Sequence, residues 1–588
     1  MPGFIALSES RRTQKDSKSI FEQLDVPKRN MVNDFIQAQG LYVERLTINK
    51  FMNDKVFFSD SEYFILIEGV VLNSLTLVLR YNKTSFKDCI IEMYRTSGEM
   101  FFNEFRGSFC GIFYDIKADK KIIFTDHIGS KQVFYSSIGG GGLLLASDML
   151  YIAEYFKHNN IPTTLNISGA YSLLTISSMI EDATLFSEVK RLLPGHYLLI
   201  SCNKYEVKRY YKLKFEYNCN LPEKEIIDKL DRLFADAVKL GLEKDREYGY
   251  KHSVALSAGL DSRMTTFVAN KLGYGHSILN NTFSQTDYLD ETIPKKIASE
   301  LRHKWLFKSL DNGLFLLDID KTIKVTSGMV SCNGSAHALD YFETFNFDNY
   351  GLQHSGQLGD VIVGSYIRKF SQLSQDYSFS SILKSKLIDT KGIPPVDLQL
   401  SYDNAEDFLF FHRGYMCVNQ GLVALQYFTE TVSPFLDIEF LEYCMSIHPE
   451  IRMHHKLYYK WINAKHPAVA KYTHEMLGAK INARKITLFG FTVPIKRLPI
   501  AAIQFFLIKL NIIKNNAGNS KKSMNPFGYW YNTNEDFRAA IHSYYNSYSG
   551  KLHQYPDLAK DCEAVFLNGT VAEKFRVLTL IGMLKMYF

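Results

Sequence analysis

The chain has 588 residues, 46% of them apolar and 22% charged, with a formal net charge of +6 at pH 7. That length exceeds one hydrophobic core and asks for at least two domains, and the composition excludes a disordered chain. The mild positive charge suits anionic substrates, but no block of basic residues gives a nucleic-acid footprint. The eight cysteines are scattered, without C-x-x-C or Cys/His metal spacing, and read as buried thiols of a reducing compartment. No basic segment followed by an apolar run opens the sequence, so a cytoplasmic protein is expected.

Residues 1–215 read as short β-branched and aromatic runs with turns between them, at 63–71, 75–80, 111–114, 121–125 and 143–147. Lys117-Ala118-Asp119-Lys120 and the glycines at 139–142 are hairpin signals. The glycines separate two strands and no helix follows directly, so they are not a phosphate cradle. Pro222-Glu223-Lys224-Glu225 opens a helix with Ile226, Leu230, Phe234 and Val238 on one side, and marks the domain boundary. From Val254 onward, strands at 254–256, 277–283 and 304–307 alternate with helices at 263–272 and 290–301. That is the pattern of a parallel sheet with crossover helices. Residues 400–588 are expected to be mostly helical. Within them, 497–514 carries an apolar stripe (Ile500, Ile503, Phe506, Leu507, Leu510, Ile513) too short and too polar to span a membrane. A membrane-surface helix and a core or interface helix both fit it.

The most informative stretch is Ser253-Val254-Ala255-Leu256-Ser257-Ala258-Gly259-Leu260-Asp261-Ser262-Arg263. A strand ending in such a turn presents N–H groups and hydroxyls to an anion at a helix N-terminus. Asp261 is badly placed for a bare phosphate and makes sense with Mg²⁺ between them. No G-x-x-x-x-G-K-[ST] is present, so γ-phosphate transfer is not expected.

The turn resembles the S-G-G-x-D-S loop of the pyrophosphate-releasing PP-loop ATPases, with Ala258 in place of the first glycine. His354-Ser355-Gly356-Gln357-Leu358-Gly359-Asp360-Val361-Ile362-Val363-Gly364-Ser365-Tyr366 resembles the S-G-E-G-x-D-E-L-F-G-G-Y loop of asparagine synthetases. Glu430-Thr431-Val432-Ser433-Pro434-Phe435-Leu436-Asp437 resembles that family's E-x-R-x-P-F-L-D, and Lys456-Leu457-Tyr458-Tyr459-Lys460 falls where it has K-x-x-L-R. The first half is similar to the same family at Arg45-Leu46-Thr47-Ile48, Gly69–Asn73, Arg106-Gly107-Ser108-Phe109 with Asp115, Asp126–Tyr135, and Leu193-Pro194-Gly195-His196 followed by Arg209-Tyr210-Tyr211. The resemblance covers about residues 1–470.

It implies an α/β chain of three parts. Residues 1–215 would be a glutamine amidotransferase-like domain, an Ntn-hydrolase-like αββα sandwich. Residues 216–470 would be a doubly wound PP-loop ATP-binding domain, and 471–588 its helical C-terminal extension. Glutamine-dependent members begin Met-Cys-Gly and attack glutamine with that cysteine. Here the sequence reads Met1-Pro2-Gly3-Phe4, the oxyanion-hole Asn falls on Glu68, and the Asp that holds glutamine's amino group falls near Phe86. A dead glutaminase is expected, as in the β-lactam-synthetase-like members, whose nitrogen comes from an amine on the substrate.

The resemblance also distributes roles. Ser257, Gly259 and Ser262 would hold pyrophosphate, and Leu256 with Thr282-Phe283-Ser284 would flank adenine. Ser355 and Gly356 would face the ribose and α-phosphate, with Asp261 and Asp360 on Mg²⁺. A small-molecule carboxylate would take AMP from ATP, and an amine or ammonia would then displace it. Lys456 would stabilise the tetrahedral intermediate and Lys460 would pair with pyrophosphate. Gln357 stands where asparagine synthetases have Glu and β-lactam synthetases a Tyr of a Tyr–Glu pair. An amide is no general base, so either Glu430, His354 or Asp437 takes the proton, or the amine arrives neutral. Val361 replaces a family Glu, so the substrate is not expected to be simply aspartate. An ammonia-dependent asparagine synthetase and a catalytically silent binding protein are the alternatives, and a homodimer is open to either. A tRNA thiolase is disfavoured by the missing cysteines and basic surface.

Overall fold

The run Tyr-Phe-Ile-Leu-Ile-Glu-Gly-Val-Val at Tyr63–Val71 is apolar on both faces, so a strand made from it has to be covered twice. The computed structural model describes residues 2–8, 21, 30–202, 204–374, 387–388, 398, 400–475, 477–488, 491–494 and 520–588. The stripe at 497–514 lies outside the described residues.

The first half carries β1 (Gly3–Ser8), β2 (Met31–Ala38), β3 (Leu41–Ile48), β4 (Phe57–Ser59), β5 (Tyr63–Val71) and β6 (Gly107–Asp115). It continues with β7 (Lys120–Thr125), β8 (Phe134–Ile138), β9 (Gly142–Ala146), β10 (Lys190–Arg191), β11 (His196–Ser201) and β12 (Lys204–Arg209). These form two antiparallel sheets, ordered β10-β8-β9-β1-β3-β2 and β12-β11-β7-β6-β5-β4. Phe64 and Leu66 pack between the sheets with Phe4, Val43, Ile112 and Leu145. Ile65 and Ile67, pointing the other way, pack with Leu77, Ile90 and Met93 of the helices Ser74–Arg80 and Phe86–Ser97. Ile5 and Leu144 on the far face meet Ile152 and Leu173 of the helices Met149–His158 and Ile167–Ile176. The result is an αββα sandwich. By the period of two, Glu68 shares the inner face with Phe64 and Leu66.

One expectation changes here, and one position gains a role. The run at 75–80 is helix, not strand: its buried residues are Ser74 and Leu77, at helical spacing, while Leu75 and Leu79 face solvent. The Ser85–Phe86 position has a structural task, since Ser85 caps the helix Phe86–Ser97 by accepting from the Asp88 N–H.

Beyond Pro222 the helix Glu223–Glu247 buries Ile226, Leu230, Phe234 and Val238. Then come β13 (Lys251–Ala255), β14 (Ile278–Ser284), β15 (Lys304–Ser309), β16 (Tyr350–His354) and β17 (Thr431–Val432). Their sheet runs β15-β14-β13-β16-β17 with every pairing parallel. The chain leaves β13 toward β14 through the helix Leu260–Lys271, and later returns to β13's other side as β16. The strand order therefore reverses between β13 and β16, the place where open parallel sheets bind ligands.

Buried polar contacts join the two halves. Arg106 reaches both carboxylate oxygens of Asp437 at 2.8 Å. Lys55 and Lys131 clasp Glu430 at 2.9 and 2.8 Å, with none of the three side chains exposed. Lys55 also lies 3.6 Å from Glu68, which accepts from the Thr47 hydroxyl at 2.8 Å. The C-terminal helices Phe527–Thr533, Glu535–Tyr548, Pro556–Asn568 and Val571–Tyr587 bridge both halves. Trp530, Phe537, Phe575 and Leu578 share one core with Ile5 and Leu173 of the sandwich and with Ile319 and Ile323 of the second half. Val571–Tyr587 is buried nearly all round, as an enclosed helix must be.

Candidate active site

The loops after β13 and β16 meet at this reversal point. Residues 256–259 follow β13, and Ser355–Leu358 follow β16. A Cβ on Gly356 would sit 2.6 Å from the Asp261 carbonyl carbon and the Ser262 nitrogen, and one on Gly359 would sit 2.7 Å from Asp261 Cγ. Only glycine lets the two backbones come this close. Within the first loop, hydroxyls and N–H groups bond one another. Ser257 N–H donates to Ser262 Oγ at 2.9 Å, Gly259 N–H donates to Ser257 Oγ at 3.1 Å, and the two hydroxyls lie 2.9 Å apart. Ala258 N–H donates to Asp290 Oδ1 at 2.7 Å. Burial lifts the Asp290 carboxyl to about 6, against the Ala258 N–H, which favours its charged form. Arg263, fully buried, ties the loop down by donating to the carbonyls of Ala258 and Thr473.

Asp261 is the hinge of the constellation. Its Oδ2 accepts the Asp360 N–H at 3.0 Å and its Oδ1 accepts the Tyr458 hydroxyl at 2.7 Å. Burial first, and the neighbouring Asp360 carboxylate second, push the Asp261 carboxyl well above the usual carboxylate range. No described lysine or arginine pairs with either aspartate. Two hard carboxylates set this close fit a divalent cation such as Mg²⁺, which Asp261 and Asp360 would hold. Tyr458 comes from the helix Lys456–Lys465, entered through two left-handed residues, His454 (φ 57) and His455 (φ 58). Such backbone is costly outside glycine and persists only where the surroundings enforce it. Tyr458→Phe is expected to weaken ATP–pyrophosphate exchange by the roughly 1.5–3 kcal/mol of a hydrogen bond to a charged group. The check is the exchange rate against Mg²⁺ concentration, and a wild-type curve would remove Tyr458 from the site.

A cavity of about 590 Å³ opens from these loops, within the usual range of ligand sites. Asn281 and Gln353 floor it, joined through the Ser253 hydroxyl by bonds of 2.7–3.0 Å across β14, β13 and β16.

Comparison with known proteins adds what the chain is similar to. A glutamine amidotransferase domain matches residues 38–211, most of the sandwich. Asparagine synthetase [glutamine-hydrolyzing] 2 of Bacillus subtilis is 27% identical over 252 residues, 40% of this chain and 33% of that protein. Asparagine synthetase B [glutamine-hydrolyzing] of Escherichia coli is 22% identical over 403 residues, 64% of this chain and 60% of that protein. The chain is similar to asparagine synthetases over these spans. Amidase chyE of Penicillium rubens is also similar, 26% identical over 243 residues, 40% of this chain and 33% of that protein. The chain spans from one third to three fifths of the length of these curated relatives.

In this chain Leu256, Ser257, Gly259, Asp261, Ser262, Ser355, Gly356 and Gln357 all line the cavity. Asp360 joins them through its bond to Asp261. Other expected residues are placed elsewhere. Ser284 is buried with its hydroxyl on the Gln285 carbonyl at 3.0 Å, and Thr282 and Phe283 reach the cavity instead. Lys460 is exposed and paired with Glu223. Lys456 is exposed at the start of its helix, outside the cavity lining and without a partner among the described residues.

All three candidates for the proton acceptor are committed to other partners. Glu430 is held between two lysines at the domain joint. Burial opposes its ionisation, but Lys131 and Lys55 outweigh it and hold the carboxyl at about 2. Asp437 is taken by Arg106. His354 Nε2 lies 2.7 Å from Asp245 Oδ2, the same oxygen that meets His252 Nδ1 at 2.8 Å. Gln357 does face the cavity, with its amide donating to the Val418 carbonyl at 2.7 Å. Tyr458 and Asp290 are the functional positions the sequence reading missed. Tyr458 lay inside a quoted motif, and Asp290 in the first turn after β14, but neither spacing says which loop the side chain meets.

Proposed function

We propose that this protein is an ATP-dependent carbon–nitrogen ligase. It adenylates a substrate carboxylate with release of pyrophosphate, then transfers an amine or ammonia to the acyl group, without hydrolysing glutamine. The observation that carries this reading is the junction of the two loops. Asp261 and Asp360, linked through the Asp360 N–H, stand at the strand-order reversal over a cavity lined by Ser257, Ser262, Ser355 and Gly356.

The residues divide the work. The Ser257 and Ser262 hydroxyls and the loop N–H groups can exchange their mutual bonds for bonds to the leaving pyrophosphate. Asp290 then has to give up the Ala258 N–H or share it, and protonates readily if a phosphate approaches. Ser355 and Gly356 lie on the opposite lip, toward the α-phosphate. A divalent cation on Asp261 and Asp360 would neutralise charge on the phosphate oxygens. The substrate carboxylate attacks the α-phosphorus, the bond to the bridging oxygen breaks, and pyrophosphate leaves with that electron pair. Lys456, without a partner among the described residues, is our choice for meeting the negative charge that develops when the amine attacks the acyl carbon.

The inert glutaminase is supported by what fills the end of the sandwich. Glu68 is fully buried there, accepting from Thr47 and lying beside Lys55 and Glu430. A carboxylate in that position repels a developing oxyanion. Purified protein is expected to form no glutamate from glutamine while ligating with free amine or ammonium. Glutamate release at a rate comparable with ligation would refute the claim. The ligase reading itself is tested by carboxylate-dependent exchange of pyrophosphate into ATP, and a panel of acids giving none would favour a silent binding protein.

A further inference from the structure

The cavity has a second wall that the loop chemistry does not use. Ala338 and Phe342 line it from one side, and Val418, Leu422 and Leu425 from another. Acidic side chains reach the cavity only at the loop end, as Asp261 and Asp290, and none of the described lining residues is lysine or arginine. The polar atoms of the second wall are neutral. Ser335 Oγ and His337 Nδ1 are both buried without a partner, and no described residue bonds either ring nitrogen of His337. Burial holds that imidazole at about 4, so it is uncharged at pH 7. Its ring leans on Phe283, centroids 5.1 Å apart.

Buried polar atoms in native proteins are nearly always paired, so two unpaired ones on a cavity wall mark where a ligand's own polar atoms go. The surrounding apolar surface asks for an apolar body. A second carboxylate would be taken out of water with two aspartates nearby and no cationic side chain among the described lining residues to receive it. We infer that the acid adenylated here is a monocarboxylate with an apolar body and one neutral hydrogen-bonding group, which Ser335 and His337 meet. The inference rests on the ligase reading and narrows its substrate.

The test uses hydroxylamine to trap the acyl adenylate. Its nitrogen lone pair attacks the acyl carbon, the carbon–oxygen bond to phosphate breaks, and AMP leaves with that pair, giving a hydroxamate. The probes are N-acetylphenylalanine, phenylacetate, succinate and aspartate, each with ATP and Mg²⁺. N-acetylphenylalanine should have the highest kcat/KM, with phenylacetate next. Succinate and aspartate should fall at least roughly a hundredfold below the first. His337→Phe and Ser335→Ala should each raise the KM for N-acetylphenylalanine roughly three- to tenfold, with a smaller change for phenylacetate. Succinate or aspartate matching the apolar acids would overturn the inference, as would equal losses for both apolar acids in the two variants. If none of the four acids gives hydroxamate but ATP with Mg²⁺ still raises the melting temperature, the substrate class is wrong. If that thermal shift is missing too, the ligase reading fails with it.

Discussion

Asp261→Asn and Asp360→Asn are each expected to abolish ATP–pyrophosphate exchange while leaving a folded protein. Each change removes a hard anionic oxygen from a two-carboxylate site that has no other assigned protein ligand, and an amide oxygen is a far weaker partner for a divalent cation. Stability separates this from misfolding. The Asp261 carboxyl is raised in the folded state, by burial and then by Asp360. Its folded pKa therefore lies above the unfolded value of about 3.9. The folded protein carries no penalty below that pH and loses stability as pH rises through the folded value. Asparagine removes the penalty. Without nucleotide, Asp261→Asn should melt at or above the wild-type temperature near pH 7, and the difference should vanish toward pH 4. Near-wild-type exchange at ordinary Mg²⁺ levels in either variant would dismantle the site.

The second large effect is expected at the domain joint. Glu430→Ala should cost about 3–5 kcal/mol of stability, because it leaves Lys55 and Lys131 buried without their shared carboxylate. Burial works against the Glu430 charge, yet the two lysines hold its carboxyl at about 2, below the unfolded value of about 4.3. That contribution is therefore complete above about pH 5 and is lost as pH falls toward 2. Denaturant titration at pH 7 and at pH 3.5 should show the gap between wild type and variant narrowing in acid. A variant as stable as wild type, with exchange intact and amide formation gone, would return Glu430 to the role of proton acceptor.

What could be read in the chain and what could not follow from where the information lies. The loops 256–262 and 355–360 carry their chemistry in contiguous residues, so their motifs picked out residues that the fold gathers on one lip of one cavity. The alternating pattern after Val254 announced the parallel sheet because each βα unit is local. Pairings across long separations were invisible. Arg106 meets Asp437 over 331 residues, and Lys131 meets Glu430, which the motif alone presented as a candidate proton acceptor. His354 adjoins the loop but points back to Asp245, since strand alternation turns it away from the face that Gln353 shows to the cavity. Ser335 and His337 carried no signal at all. They stand in a segment without a motif, and their meaning comes only from what surrounds them.

The C-terminal helices have a consequence for how the chain comes into being. Ile5 and Leu173 of the sandwich share a core with Trp530, Phe575 and Leu578, and the cavity takes part of its wall from Met524 and Ala572. Domains of a growing chain generally fold as units, the earliest first. Here the earliest unit leaves the ribosome with one flank bare, and its cover is made more than three hundred residues later. Until then the outer apolar side of the helix Ile167–Ile176, on which Val571–Tyr587 packs in the finished fold, is a standing invitation to chaperones and to other nascent chains. A binding chamber walled by Ala572 cannot be complete before the helix Val571–Tyr587 has docked, so the newborn protein acquires its cavity late in its assembly.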